Sequence, residues 1–404
     1  MNNIISFSLT LYIFIIYFYG LITKFTINNK FLFSIKTILP EFLLMIIICI
    51  SILIILKKGT YKIKNKYLFS LICYIGFIFI INLCMKPSID EVAFVIRDLI
   101  LPITVLFCLT QIDFNQEEII KIINNLIRIF IIFTIIGFVL ALIQRNMDWE
   151  WTSKFYTGYS FYGVDPNSKI KIWHTNGTLR VPSLTGNSVT FGFYNLVAFL
   201  FIWKSNIKNI LKYPLLVLNI LNIWISTSKT TLVVLTIIFI IDLLKKLNKY
   251  IKVNFIIIMF IILIILINII LDLNPDFLFS LKERFNYWKL SFTYFPIYTF
   301  FIPINLFNTT AAASDFIGFM DNSYLYFFYS IGILGVLAIV LNIYNLYIKN
   351  PKCSYQLILN YLIIIFFIVS MVVNITQGRA YLANFCIIAP ILRKFYSEQY
   401  FKEK

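Results

Sequence analysis

The chain has 404 residues, of which 60% are hydrophobic and 13% are charged. A soluble domain carries about 25% charged residues, so this composition excludes an ordinary cytosolic enzyme and predicts an integral membrane protein. The net charge of +17 comes from 35 Lys and Arg against 18 Asp and Glu; in a membrane chain it favours basic cytoplasmic loops near anionic lipid over nucleic-acid binding.

Apolar runs long enough to cross a bilayer recur along the whole chain. The first lacks a basic leader and a small-residue cleavage site, which favours a retained helix over a signal peptide. The sequence therefore predicts an all-α, polytopic transmembrane helix bundle of about 12 spans, forming one integral membrane domain over 1–404. The runs are Ile4–Ile22, Ile38–Leu56, Tyr67–Met85, Val92–Leu109, Leu126–Ile143, Ser188–Trp203, Ile210–Ile225, Thr231–Leu244, Val253–Leu271, Asn322–Ile348, Tyr355–Ile375 and Ala380–Leu392.

The basic residues of the short loops predict the orientation of these spans. With the N-terminus inside, the inner loops and the C-terminal tail hold roughly 18 Lys and Arg, and the short outer loops hold roughly 6. Lys24, Lys30 and Lys36 oppose this trend locally, but the sum over all loops outweighs them. Both termini are therefore expected in the cytoplasm.

This orientation places two long loops, 144–187 and 272–321, outside the membrane. Within the second, the apolar stretch Leu290–Phe307 is interrupted by Pro296 and Pro303. Backbone groups freed by proline cannot stay unbonded in lipid, so the stretch is expected to be interfacial or re-entrant. The alternative is a thirteenth, kinked span, which would move the C-terminus outside.

The first outer loop ends in a basic residue followed by turn formers and a helix start. Arg180 precedes Ser183, Gly186 and a cap at Asn187 or Ser188. A cation beside a helix N-terminus is a candidate anion site, although a solvated arginine at a plain helix start fits the same pattern. The single histidine of the chain, His174, lies in this loop, so a His-rich metal site is excluded.

Three further sites on the expected outer side have residues that suit an anionic ligand. Lys229 lies in the turn Ser226–Thr230, which also fits an ordinary polar hairpin tip. Arg284 and Trp288 share one helical face at the start of the second loop, which also fits an amphipathic surface helix. Arg379 lies between the last two spans.

Two carboxylates are also candidates. Asp321 closes the second loop, where it could serve as a general base or merely as a helix cap. Asp98 follows Arg97 inside an apolar run, where charges are costly and are usually functional or mutually paired. Arg97 is expected about 9 Å below the outer surface.

Together, Arg97, Arg180, Lys229, Arg284 and Arg379 place cations on the side that the charge rule disfavours. A dianionic ligand at the outer leaflet would offset their cost, and the planar fork of arginine suits a diphosphate.

In these motifs the chain resembles the O-antigen polymerase and O-antigen ligase superfamily, over roughly Arg180–Leu346 and in overall topology. The similar features are Arg180, Ser183, Asn187 and Gly192 in the first motif, Ser228-Lys229 in the second, and Arg284 to Trp288 with Asp321-Asn322-Ser323-Tyr324-Leu325, Gly332 and Gly335 in the third. The chain departs from the family pattern in several places. Asp321 stands where the ligases usually carry His, Lys229 replaces an Arg, Ser188 replaces a Pro, and the mid-loop Gly-x-Gly is missing. The first departure favours a polymerase of the Wzy type.

The resemblance implies a bundle of the GT-C-like kind in the bacterial inner membrane, with a periplasmic active site. It implies a metal-independent glycosyltransferase without cofactors that moves a growing glycan from undecaprenyl diphosphate onto another lipid-linked repeat unit. Such a polymerase serves the synthesis of O-antigen, a lipopolysaccharide component, or of capsule, and a chain-length regulator is a further candidate partner. Arg180 and Arg284 are expected to bind the diphosphate and Asp321 to act as the base. The expected substrate-binding residues are Lys229, Arg97, Arg379, His174, Asn322 and Tyr324.

Two other functions fit the same sequence. An O-antigen ligase would hand the glycan to a different lipid acceptor, and composition does not separate the two enzymes. A glycolipid flippase or secondary transporter would place its charges around a midplane cavity, whereas these are expected at the outer face and in loops.

Overall fold

The computed structural model describes residues 2–26, 29–57, 63–147, 174–175, 178–246, 285–286, 288–290, 293, 297–301, 303, 306–307, 322–372 and 381–395. Its helices are α1 Asn2–Tyr17, α2 Tyr19–Thr26, α3 Lys30–Lys57, α4 Lys66–Leu83, α5 Ile89–Val95, α6 Leu101–Gln111, α7 Gln116–Asn146, α8 Ser188–Lys204, α9 Asn209–Ile225, α10 Lys229–Lys246, α11 Ser323–Leu346, α12 Ser354–Val372 and α13 Leu382–Arg393. A π-helical turn, Ile96–Ile100, joins α5 to α6, and two-residue strands, β1 His174–Thr175 and β2 Thr178–Leu179, form a small hairpin.

Six described helical segments are long and apolar enough to cross a membrane, and the bent pair α1–α2 makes a seventh if it counts as one span. Large apolar side chains cover the outside of the bundle, including Phe7 at 65%, Ile38 at 63% and Ile80 at 65% exposure. Lipid is the solvent in which such a surface is stable. The chain is therefore a helical, multi-pass membrane protein.

Each predicted run except Val253–Leu271, which lies outside the described residues, coincides with described helical structure. However, α8, α9 and α13 are shorter than a full membrane span. Three of the predicted runs depart from a straight helix, one of them through a kink at Gly332 in α11. The first run bends by 77° between α1 and α2, and the fourth contains the π-helical turn. In the stretch Leu290–Phe307, the longest described helical piece is a 3-10 turn at Ile297–Phe300.

The ends of the helices are defined by side-chain caps. The Asn65 and Asn187 side chains accept hydrogen bonds from backbone N–H groups in the first turns of α4 and α8. Ser88 forms a reciprocal capping box with Glu91 at the start of α5. These bonds satisfy N–H groups that the first helical turn leaves without an intrahelical partner.

The starts of four helices and the ends of four others lie together at one end of the bundle, which we call the Lys204 end. The starts are those of α1, α4, α7 and α12, and the ends are those of α6, α8, α10 and α13. The contacts that hold it are Asn2 with Glu118 (3.0 Å), Lys64 with Asp113, Lys204 with Asp242 (3.2 Å), Gln116 with the Lys394 carbonyl (3.1 Å) and Gln356 with the Phe395 carbonyl (2.8 Å).

The opposite end, which we call the Arg180 end, contains the bend between α1 and α2 and the starts of α8, α10, α11 and α13. The rings of Tyr17 and Tyr194 stack there with centroids 3.9 Å apart. The Asn384 amide lies 3.3 Å from the Tyr17 hydroxyl. At the end of α4, Asn82 donates to the Pro303 carbonyl at 2.8 Å and so ties the second long loop to this end.

A buried polar network links α7, α8 and α9 between the two ends. The Asn222 amide donates to Asn195 at 2.9 Å and to the Thr134 carbonyl at 3.1 Å, while the Thr134 hydroxyl donates to Asn219 at 3.1 Å. All four residues are buried. Interhelical hydrogen bonds of this kind hold membrane helices together, because apolar packing alone gives little preference over lipid.

Candidate functional site

The candidate site lies at the Arg180 end, and α7 positions the segment that carries Arg180. The backbone N–H of Ser183 donates to the Gln144 side chain at 2.9 Å, and the Ser183 hydroxyl donates to the Gly137 carbonyl at 2.7 Å. Ser183 itself has φ 44°, and Gly186 has φ 75°. These two residues of positive φ begin and follow a tight 3-10 turn, Ser183–Thr185, whose side chains are buried.

Helix α2 packs directly on this turn. A Cβ atom on Gly20 would lie 2.5 Å from the Gly186 nitrogen and 2.7 Å from the Thr185 carbonyl carbon. Only glycine allows such a close approach of two backbones. The contact also accounts for the bend between α1 and α2, because a straight helix would carry Gly20 away from the turn.

Arg180 precedes the turn and is partly buried, with its Nε atom enclosed by protein. It directly follows the hairpin in which His174 pairs with Leu179. The hairpin thus brings the backbone of His174 close to that of Arg180 in space as well as in sequence.

The second motif packs against the first. A Cβ atom on Gly192 would lie 2.8 Å from Ser226 Oγ, 2.9 Å from Ser228 Cβ and 3.1 Å from Thr231 Oγ1. The turn is closed by a 2.7 Å hydrogen bond between the Ser228 and Thr231 hydroxyls. Lys229 is the first residue of α10 and is exposed. The turn therefore presents a lysine beside the first turns of α8, the helix that follows Arg180.

The described part of the third motif caps and anchors α11. The Asn322 side chain accepts from the N–H groups of Tyr324 at 2.9 Å and Leu325 at 3.2 Å. The Tyr324 hydroxyl donates to the Phe367 carbonyl of α12 at 3.1 Å. These bonds give both side chains a structural role at the start of α11.

Arg97 is engaged by its neighbour Asp98. Its Nε and Nη2 atoms donate to the two carboxylate oxygens, both at 2.7 Å, and its guanidinium lies 4.2 Å from the centre of the Phe94 ring. The pair lines a small cavity with Tyr12, Pro40, Glu41, Leu44, Pro102 and Ala383. Of the two interpretations of the intramembrane charges, the mutual ion pair is the one observed.

The cavity includes a carboxylate that the sequence interpretation overlooked. Glu41 follows Pro40 inside the run Ile38–Leu56. A charge inside an apolar run is the same signal that singled out Arg97, so Glu41 could have been found in the same way.

The structure places the backbone of His174 beside the residue that precedes Arg180, and it packs the turn that carries Lys229 against Gly192 of α8. Asn322 and Tyr324 lie at the start of α11. Asp321, Arg284 and Arg379 lie outside the described residues. Over the described part of the chain, no group of three or more His, Cys, Asp and Glu side chains is placed to hold a metal ion.

Comparison with known proteins returned no relative: no family model, no curated protein and no solved structure matches this chain.

Proposed function

We propose that the protein polymerises lipid-linked oligosaccharide repeat units, transferring the growing glycan from undecaprenyl diphosphate to an acceptor repeat unit. The observation that carries the proposal is the packing of Gly192 against the Ser226–Lys229 turn. It joins two motifs that are separated in sequence and places Lys229 near the start of the helix that follows Arg180. Clustered cations at one end of a bundle suit a diphosphate ligand.

The proposed reaction needs a leaving group, a nucleophile and a base. An acceptor hydroxyl oxygen forms a bond to the anomeric carbon of the donor glycan, and the bond from that carbon to the diphosphate oxygen breaks. Undecaprenyl diphosphate departs with the electron pair. Arg180 and Arg284, supported by Lys229, stabilise the charge that develops on the diphosphate, and Asp321 takes the proton of the acceptor hydroxyl.

The remaining candidates take different parts in this proposal. His174 and Arg379 contact sugar or phosphate. Asn322 and Tyr324, which lie at the start of α11, contribute to substrate binding. Arg97, which is paired with Asp98, contributes to substrate binding.

The proposal places the protein in the bacterial inner membrane with the Arg180 end facing the periplasm. The Lys204 end, with both chain termini, then faces the cytoplasm, in keeping with the distribution of Lys and Arg. The partners are the undecaprenyl-diphosphate-linked oligosaccharide, the bilayer and a chain-length regulator.

The test is complementation of a deletion strain, read as the length distribution of surface glycan. Arg180→Ala and Arg284→Ala are expected to reduce polymer to single repeat units, because each removes a charge that stabilises the leaving diphosphate. Lys289→Ala is the matched control: it removes an exposed cation five residues from Arg284 and should leave the polymer unchanged. Long chains in both arginine variants, at normal protein levels, would contradict the proposal.

The same strain separates the competing functions. Single repeat units on the surface lipid indicate a lost polymerase, whereas complete absence of surface glycan indicates a lost ligase. Accumulation of lipid-linked repeat units on the cytoplasmic side would indicate a lost flippase.

A further inference from the structure

Lysines concentrate at the Lys204 end, away from the proposed catalytic residues. Lys204 ends α8, Lys208 immediately precedes α9, Lys212 lies in the first turn of α9, and Lys245 lies in the last turn of α10. The sequence continues with Lys246, Lys249 and Lys252. The Lys212 ammonium donates to the Ser205 carbonyl at 2.8 Å, which holds it beside the end of α8.

Among the described residues, the carboxylate that pairs with this group is that of Asp242, and it already accepts two hydrogen bonds. Asp242 accepts from Lys204 at 3.2 Å and from the Tyr361 hydroxyl at 2.5 Å. Among the described residues, no carboxylate lies within salt-bridge distance of Lys208, Lys212 or Lys245. Within the described part of the chain, these four lysines and Asp242 together carry a net charge of +3.

Aromatic rings and neighbouring charges surround Lys204 and Lys245, and this environment favours the binding of an anion. Lys204 lies over the Trp203 ring at 3.7 Å, and Lys245 lies 4.8 Å from the centre of the Tyr361 ring. Burial lowers the pKa of Lys245 from its ordinary value; Asp242 opposes this shift and the charge of Lys204 adds to it. An anion beside these ammonium groups would reverse the repulsion.

An apolar helix face continues from the lysines toward the middle of the bundle. On α9, Ile210 is 80% exposed, Tyr213 62% and Val217 55%. These positions follow helical spacing and point outward from the bundle. Basic side chains at the end of an exposed apolar face match the two parts of a phospholipid, a phosphate headgroup and its acyl chains.

We propose that Lys204, Lys208, Lys212 and Lys245 form a binding site for the headgroup of an anionic phospholipid, whose acyl chains lie along the exposed face of α9. The site belongs to the leaflet at the Lys204 end and is independent of the glycan reaction. A lipid is favoured over a soluble anion because the lysines border lipid-facing apolar surface.

The test measures lipid binding to the full-length purified protein by native mass spectrometry, with phosphatidylglycerol and phosphatidylcholine as probes. The double variant Lys212→Ala/Lys245→Ala is expected to bind phosphatidylglycerol about 30-fold more weakly, since each interfacial lysine contributes about fivefold. The matched control is Lys66→Ala/Lys121→Ala, which removes two exposed lysines from the same end and should change binding little.

A charge-preserving variant and a competition experiment distinguish specific lipid binding from misfolding and from binding of a soluble anion. Lys212→Arg/Lys245→Arg keeps the charge and should retain binding, so a loss caused by misfolding is recognised. Equal affinity for the two lipids, or an equal loss in the control double variant, would overturn the proposal. Competition by millimolar inorganic phosphate without any dependence on lipid would assign the site to a soluble anion and overturn it as well.

Discussion

At the scale of single residues, glycine determines how the candidate site is assembled. Gly20 lets α2 contact the Thr185–Gly186 backbone, and Gly192 lets the Ser226–Lys229 turn contact α8. Neither contact tolerates a side chain without a shift of its neighbour. The contact between the Ser226–Lys229 turn and α8 therefore depends on the lack of a side chain at residue 192.

Gly192→Ala is expected to lower the free energy of unfolding by about 1–3 kcal/mol, because the added methyl group meets Ser226 and Ser228 within 3 Å. It should also reduce polymer length under the proposed function. Equilibrium unfolding in mixed detergent measures the first effect. Gly76→Ala is the control, since a Cβ there meets nothing within 4 Å. Equal stability of the two variants would contradict the close packing.

At the scale of elements, the helices most relevant to the site are irregular. Helix α11 contains Gly332 with φ 69° and ψ 176°, a conformation that only glycine adopts readily. The Tyr74 hydroxyl of α4 donates to the carbonyl of the preceding residue, Ile331, at 2.9 Å. A hydrogen bond from a neighbouring helix thus holds the kink, which lies in the helix that Asn322 caps.

Gly332→Ala is expected to destabilise the protein by about 1–3 kcal/mol, because alanine at this φ is strained. Tyr74→Phe should cost about 1 kcal/mol through the loss of one hydrogen bond. Both changes are measured by unfolding in detergent. Tyr67→Phe, at an exposed tyrosine of the same helix, is the control. If Tyr74→Phe matched this control, the hydrogen bond would not hold the kink.

At the scale of the whole molecule, the bundle has two chemically different ends. The Lys204 end gathers the lysines of the short connections, whereas the Arg180 end has the glycine contacts, the bend between α1 and α2 and the tie between Asn82 and the second long loop. An asymmetry of this kind gives a multi-pass protein a defined orientation in the membrane.

This orientation can be measured in a cysteine-free background. Lys30→Cys, at the Arg180 end, is expected to react with a membrane-impermeant maleimide in intact spheroplasts. Lys352→Cys, at the Lys204 end, should react only after permeabilisation. Both positions are exposed, so accessibility to solvent is matched. The reverse pattern would place the proposed site in the cytoplasm and would exclude a polymerase that acts at the outer face.

The sequence predicted the positions of the helices well, because twenty consecutive apolar residues have few alternatives in lipid. It did not predict the bend after Tyr17, the π-helical turn or the kink at Gly332. The bend and the kink involve partners distant in sequence, Gly186 and Tyr74, which a hydropathy pattern does not contain. The sequence pattern indicated Asp321 as a possible helix cap, whereas the cap in the structure is the next residue, Asn322. The bond from Tyr324 to α12 joins residues distant in sequence, which the pattern does not contain.

The ion pair of Arg97 and Asp98 has a consequence for biogenesis. A single charge at the centre of a helix raises its free energy of membrane insertion by about 2.5–3.5 kcal/mol. Two charges that are not paired would therefore make insertion strongly unfavourable. Here the counterion is the next residue of the same segment, joined by two hydrogen bonds at 2.7 Å. Arg97 and Asp98 can therefore enter the bilayer as a neutral pair that needs no counterion from another helix.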